Sequence, residues 1–492
     1  MVLRIHTLIP LAVLLLAAAL PAEQVPTFAD DVAPIIYAQC AECHREGEAA
    51  PFPLTTYEEV RKRGRMVRDV TSDEYMPPWM PREGHGDFKE TRRLSDKEIA
   101  TLDAWFEGGM PRGDASREPA PPEFVEGWRL GEPDLVLEMA EPYLVKAEGK
   151  DVYRWFVLPT NLKQERFIKA IEIRAAAPEV LHHALFYHDN ASGAARKEDA
   201  RDETPGFKRR VGRTESLGGW AVGSDPVQLP GDLAYPIPAG ADFLLQVHFH
   251  PNGKPQEEKL RIGIHFQDAA PEKPVLQFQV PPQYGAMTGL DIPPGEKDYR
   301  IEDHFTVPED IVVYGVWGHA HQICTSIRAD ATLPDGTRKP LIYLDEWDFN
   351  WQGQYQYVEP IELPKGTVVD AVITYDNSAS NPNNPNSPPQ RIIWGEQSDD
   401  EMGSAIFLAT AKEESRSRAF RVGAFKEAGE SRQRFDVGRR VSRVMKLDKN
   451  GDGKVALAEV PLIYRGAFKK LDQDFDGFVV PEEVREHGGF LK

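Results

Sequence analysis

The sequence predicts a multidomain, mainly β protein with a small helical block near its start and a helical pair of cation loops at its end. Three observations predict this. The chain has 492 residues, roughly three times an ordinary domain. Forty-one prolines and thirty-nine glycines punctuate short apolar runs through its centre, the pattern of strands and turns rather than long helices. Two acidic, glycine-containing loops recur near residues 448 and 472. Composition is that of a folded chain, with 41% hydrophobic and 28% charged residues. The net charge of −20 repels phosphate backbones and argues against nucleic acid as a partner. Three cysteines, Cys40, Cys43 and Cys324, are too few for a disulfide scaffold.

Residues 1–22 carry Arg4 and His6 ahead of an apolar run from Leu8 to Leu20, followed by small residues. Thirteen apolar residues are short for a bilayer span, so the segment reads as a signal peptide or, at most, an N-terminal tether. The expected location is periplasmic or extracellular, with no other membrane association.

Cys40-Ala41-Glu42-Cys43-His44 is a haem-attachment pattern: two thiols for thioether bonds and a histidine for the iron. A redox dithiol or a zinc half-site needs no histidine, and no second C-x-x-C exists. Met76-Pro77-Pro78-Trp79-Met80-Pro81 is a stiffened loop able to hold a thioether. Met76 is the expected sixth ligand, with Met80 and His85 as rivals. Ser95 and Glu98 form a capping box ahead of a helix that carries Ile99, Leu102 and Phe106 on one face. Residues 25–115 as a whole resemble a small monohaem cytochrome c domain, with 113–127 as a linker.

Nine of the thirteen histidines lie between 182 and 321. His182 and His183 are adjacent, so a regular strand would point them to opposite faces; sharing one metal requires an irregular backbone there. His248 and His250 share a face, as do His319 and His321. Imidazole sets of this kind suit copper, zinc, nickel or iron. Farther on comes Ser398-Asp399-Asp400-Glu401-Met402. Taken in order, His-His, Val-His-Phe-His-Pro, His-x-His and Ser-x-Asp-Glu-Met resemble the copper type II, ascorbate-dependent monooxygenases, the peptidylglycine and dopamine β-hydroxylating enzymes. The resemblance covers about 130–415.

It implies two tandem antiparallel β-sandwich, jelly-roll-like domains, 128–272 and 273–415, with two coppers separated by a solvent-filled cleft. His182, His183 and His248 would hold an electron-storing copper, and His319, His321 and Met402 the copper at which oxygen and substrate react. His250 falls outside the ligand set, and His188, His265 and His304 read as structural or surface residues. The implied reaction hydroxylates a C–H bond of a small organic substrate: one oxygen atom of O2 enters the product, the other leaves as water, and two electrons come from outside. The donor would be an ascorbate-like reductant or a redox protein, with the haem domain as relay. The amidating members grip a substrate carboxylate with an arginine, an asparagine and a tyrosine; Trp317, Ser404 and Ile406 stand at those places here, so a peptide carboxylate is a poor match and the site is more apolar. The disulfides of the animal members are absent, since this region has only Cys324. A non-hydroxylating haem–copper electron carrier or copper-binding protein is the alternative.

The last segment, 430–492, fits two EF-hand loops: Asp448, Asn450, Asp452, Lys454 and Glu459, then Asp472, Asp474, Asp476, Phe478 and Glu483. Only twelve residues separate them, which suits a compact structural calcium module better than a widely opening switch.

Overall fold

The computed structural model describes residues 25–491 apart from 49, 126, 190–192, 210, 213, 223, 225 and 451. The expected signal peptide, 1–22, lies outside the described residues. No described helix is long and apolar enough to cross a membrane. The chain divides into two compact units. The first comprises residues up to 45, then 52–77 and 94–122; the second comprises 46–51, 78–93 and 123–492.

The first unit is helical: Ala33–Gln39, Tyr57–Ser72 and Asp96–Glu107. Both longer helices begin with a capping box, Thr56 with Glu59 and Ser95 with Glu98, each pair satisfying two otherwise orphaned backbone donors. Phe28, Ile36, Val60, Leu102 and Trp105 form its core. Of the face expected on the last helix, Leu102 is buried, whereas Phe106 lies outside the core beneath the Arg68 guanidinium, 4.6 Å from its ring centroid. Trp105 takes the central place instead.

The second unit is mainly β and antiparallel. In its first half, Val152–Pro159, Asp242–Phe249, Leu181–Asp189 and Thr214–Ala221 form one sheet in that order. Leu135–Glu138, Arg261–Gln267 and Arg166–Arg174 lead a second sheet. Inward residues of both, including Phe156, Phe186, Leu245, Ile171 and Ile262, share one core. The second half repeats the scheme. Leu276–Val280, Gly403–Ala411, Ile311–Ala320 and Gln354–Leu363 form one sheet. Tyr299–Thr306, Val368–Tyr375, Cys324–Thr332 and Arg338–Asp345 form the other. Val316, Ile327, Ile373 and Phe407 belong to its core. Two apolar sheet faces have no better partner than each other, which is why alternation along the strands produces paired layers.

Two features depart from the expected boundaries. Residues 78–93 interrupt the expected 25–115 block and pack with the second unit: Pro81 bridges Leu344, Phe88 stacks on Tyr357, and Met80 is buried in the core of the second half. The C-terminal segment is not a separate body either. A 29-residue helix, Ser417–Met445, starts against the β core with Phe420 beside Phe278 and Phe305. It is fastened midway by the buried Asp303, which accepts hydrogen bonds from Ser431 and Arg434. Its far end contributes Val441, Val444 and Met445 to the small core around the two acidic loops.

Candidate metal centre

The adjacent histidines sit where the backbone departs from regularity. Strand Leu181–Asp189 pairs with Asp242–Phe249, and the register shifts between Leu181 and His183, so His182 is an extra, bulged residue. That bulge turns His182 toward the same point as His183, and His183 lies directly opposite His248 on the neighbouring strand. The Nδ1 atom of His183 is 3.0 Å from that of His182 and 3.4 Å from that of His248. One ring nitrogen from each of the three lies within 4.8 Å of the others. Asp151 explains the ring orientation of His248: its carboxylate accepts from Nε2 at 2.8 Å, which leaves Nδ1 unprotonated. Three imidazole nitrogens gathered in this way could hold a metal ion. Tyr153 stacks on His248 with centroids 4.3 Å apart, and Phe349 stacks on His182 at 4.6 Å.

His319 ends the strand Ile311–Ala320 and His321 follows it. Gly318, between Trp317 and His319, faces the opposite sheet; a Cβ there would lie 2.5 Å from the Leu344 Cδ1 methyl and 2.9 Å from that of Ile327, so a side chain would have to displace both. The backbone amide of Met402 and those of His321 and Ile323 all donate to the Glu401 carboxylate, at 3.1, 2.9 and 2.8 Å. One buried side chain thus ties the H-x-H turn to the methionine. His319 Nδ1 donates to Gln352 Oε1 at 2.7 Å, and His321 Nδ1 to the Asp400 carbonyl at 3.2 Å. Both rings therefore keep Nε2 for a ligand bond, and His319 Nε2 lies 3.2 Å from Met402 Sδ. The first set converges through Nδ1; in the second, His319 Nε2 meets the thioether and the His321 ring lies 5.6 Å from that of His319, centroid to centroid.

Burial governs the protonation of both sets. It lowers His182 and His321 to about 3 and His319 to about 4, and it pushes His183 well below the ordinary histidine value. All are neutral at pH 7, the form that coordinates metals. Burial alone would raise Asp151, but hydrogen bonds from His248, His250 and Ser398 overcome it and hold the carboxylate well below its usual range. Glu401 goes the other way: burial raises it to about 8 against the opposing pull of its amide donors.

The resemblance implies two sets separated by a solvent-filled cleft; the structure brings them close together. The rings of His183 and His319 have centroids 6.2 Å apart, and Phe349 touches both His182 and His321. His183, His319, His321 and Met402 all border one cavity of about 530 Å³. Residues Ala424, Glu427, Ala428 and Ser431 of the long helix form part of its wall. Trp317 and Ile406 pair across adjacent strands and line a smaller cavity of about 160 Å³ that also reaches His183 and His319. Ser404 spends its hydroxyl on the Pro281 carbonyl at 2.5 Å. His250 is turned to Asp151 and mostly exposed, and His188 is buried on the Asp189 carbonyl. His304, read as structural or surface, lines the larger cavity. Asp151, Glu401, Phe349 and Gln352 were missed as participants. Glu401 alone carried a signal, its place beside Met402.

In the helical unit, Cys40 caps the helix Ala33–Gln39, and the amides of Cys43 and His44 turn back onto its carbonyl at 3.3 and 3.0 Å. Neither Cys40 nor Cys43 is in a disulfide, and burial pushes the Cys40 thiol up to about 12. His44 Nδ1 donates to the Phe52 carbonyl at 3.0 Å, which leaves Nε2 for iron. The two rivals of Met76 belong to the second unit. Met80 Sδ accepts the Asp348 amide at 3.4 Å inside that unit's core, and His85 lies against Tyr343. Met76 stays in the helical unit at the end of Tyr57–Ser72. Met110, not considered from the sequence, packs its sulfur over Gly64 in the same unit.

The two acidic loops are related by a shift of 24 positions, Asp448 to Asp472. Glu459 accepts the amides of Lys449 and Ala456, and Glu483 accepts those of Gln473 and Val480, the equivalent atoms. Val455–Ala456 pairs with Phe478–Val479 between the loops. The carboxylates of Asp472, Asp474 and Asp476 gather within 4.8 Å. In the first loop Asp452 Oδ1 accepts the Lys454 amide, and in the second Asp476 Oδ1 accepts that of Phe478.

No protein-family model matches the chain, and no curated protein matches it. Among solved structures, the major capsid protein P2 from bacteriophage PM2 aligns over 56% of this chain and 97% of its own, with 8% identity and a TM-score of 0.25. PNGF-II aligns over 57% of this chain and 66% of its own, with 11% identity and a TM-score of 0.25. Likenesses this weak carry no argument about the fold or the activity.

Proposed function

We propose that the protein is an exported copper-dependent monooxygenase that hydroxylates a C–H bond of an organic substrate with O2, with electrons supplied through a covalently attached haem c. The observation that carries this reading is the pair of buried, neutral side-chain sets of different softness, three imidazoles and two imidazoles with a thioether, brought close together beside one cavity that His183, His319, His321 and Met402 border. The residues fit the metal. Three imidazole nitrogens suit a copper that alternates between two oxidation states, and a thioether favours the reduced state. Bound copper would supply one-electron chemistry and oxygen activation at this cavity. The chain's own part is to hold neutral imidazoles in fixed tautomers through Asp151, Gln352 and the Asp400 carbonyl, and to set the thioether through Glu401. The aromatic rings of Tyr153, Tyr284 and Phe349 restrict water around them.

Cys40, Cys43 and His44 fit haem attachment, with Met76 as second axial ligand. The His44 tautomer supports this assignment, as does the membership of Met80 and His85 in the other unit. The equivalent backbone hydrogen bonds in the two acidic loops support a structural EF-hand pair holding calcium through Asp448, Asn450, Asp452, Lys454 and Glu459 and through Asp472, Asp474, Asp476, Phe478 and Glu483. The short approach between His183 and His319 would equally serve an electron carrier, the second reading, which consumes no oxygen in the presence of any substrate.

Metal analysis of the exported protein beside Met402→Ala tests the proposal. Two coppers and one iron per chain, with one copper weakened or lost in the variant and oxygen uptake in a substrate screen, support it. One iron and no copper after copper loading would overturn it.

A further inference from the structure

A second cleft, of about 590 Å³, lies in the β unit. Its charge runs against that of the molecule. In a chain of net charge −20, four cationic side chains, Lys89, Arg92, Arg129 and Lys169, line it with one carboxylate, Glu90. Lys169 is held at the rim by the Gly231 and Leu233 carbonyls, 2.5 and 3.3 Å from Nζ, which orient the ammonium without neutralising it. Burial lowers its proton affinity, an effect that a bound anion would reverse.

Flat aromatic rings stand among these polar groups. Trp79, Trp317 and Trp351 all line the cleft, and the Trp351 indole nitrogen is buried with no hydrogen-bond partner among the described residues.

The cleft also leads somewhere. Gly219, Trp317 and Gln354 line both it and the small cavity that reaches His183 and His319. Gln354 Nε2 donates to the Gly219 carbonyl at 2.6 Å at this junction, which Trp317 also borders.

We propose that this cationic, tryptophan-lined cleft binds a planar aromatic carboxylate beside the histidine centre. Cations supply charge recognition, ring faces supply stacking, and the volume is that of an ordinary small-molecule site. Binding stands independently of copper; only the carboxylate's role as substrate rests on the oxidative reading above.

The test is titration of the full chain with 4-hydroxybenzoate, with benzoate and with neutral 4-hydroxybenzyl alcohol, followed by tryptophan fluorescence and calorimetry, with and without copper. Expected is saturable binding of at least one anion with a Kd below about 1 mM. The neutral alcohol binds at least about tenfold more weakly than the acid. Lys169→Gln and Arg92→Gln each weaken the anion about tenfold, and Lys169→Arg restores it. With copper, O2 and a two-electron reductant present, recovery of the acid with one added hydroxyl, the second oxygen atom leaving as water, marks it as a substrate and supports the proposal. Equal binding of acid and alcohol by the wild-type chain, or no anion binding up to about 10 mM, overturns it whatever the variants do. Anion binding without copper uptake would leave this inference standing while the copper reading fell.

Discussion

The two ligand sets are each governed by a carboxylate, and the two carboxylates work differently. Asp151 touches a ring nitrogen of His248 and also takes hydrogen bonds from His250 and Ser398. Glu401 touches no ligand side chain; it gathers backbone amides from His321, Ile323 and Met402. Asp151 therefore sets the tautomer and basicity of a ligand, whereas Glu401 sets where two ligand-bearing segments lie. One is electronic control at the rim of a site, the other geometric control from within the core.

Glu401→Ala is the most severe way to break this comparison. It leaves three buried amides without an acceptor, and a loss of at least about 3 kcal/mol is expected. Denaturant unfolding of the β unit measures it, and a change under about 1 kcal/mol would contradict the role given to Glu401. Asp151→Asn should be milder and of another kind. It should weaken copper at the three-histidine set about 10- to 100-fold and spare the methionine set. Chelator competition with the Cu(II) spectrum of each site separates the two; equal weakening at both sites would refute the division of labour.

A pH series sharpens the contrast without mutation. The imidazoles of both sets have folded values depressed below the unfolded 6.5, to about 3 or 4 where a number is resolved. Their contribution to stability is present above pH 6.5 and is lost as pH falls toward those values, because the unfolded chain binds protons first. Each buried histidine should cost the metal-free protein up to about 1.4 kcal/mol per pH unit in that window. Stability that stays flat between pH 6.5 and 4 would contradict the burial of these rings. The smallest effect is expected for Tyr375→Phe. It removes the hydroxyl that donates to the Met402 carbonyl at 3.1 Å and should cost about 1 kcal/mol with the copper stoichiometry unchanged.

Much of this centre was legible because short-range pattern and local geometry coincide. Two adjacent histidines demanded an irregular backbone, and the bulge at His182 supplies it. The H-x-H pair placed both rings on one side because strand alternation leaves no other choice. Asp151, Gln352 and Phe349 were illegible for the opposite reason: they arrive from loops distant in sequence, and nothing in their neighbours distinguishes them from ordinary turn residues. The segment 78–93 misled in the same way. Its prolines read as one stiff loop of the helical block, but Met80 and Phe88 find a larger apolar core in the β unit. The close approach of the two ligand sets could not be read from motifs, which specify what gathers at each point and not how far apart the points lie.

The 29-residue helix Ser417–Met445 has one stretch in the wall of the histidine cavity and its far end in the core of the acidic loops. Cutting the chain ahead of it to isolate the β sheets would strip away a side of the histidine-lined cavity and leave Asp303 without its Arg434 partner in a site that is 7% exposed. The terminal loops are thus not detachable cargo: any rearrangement that moved the β sheets into another protein would have to carry them along or build a new wall.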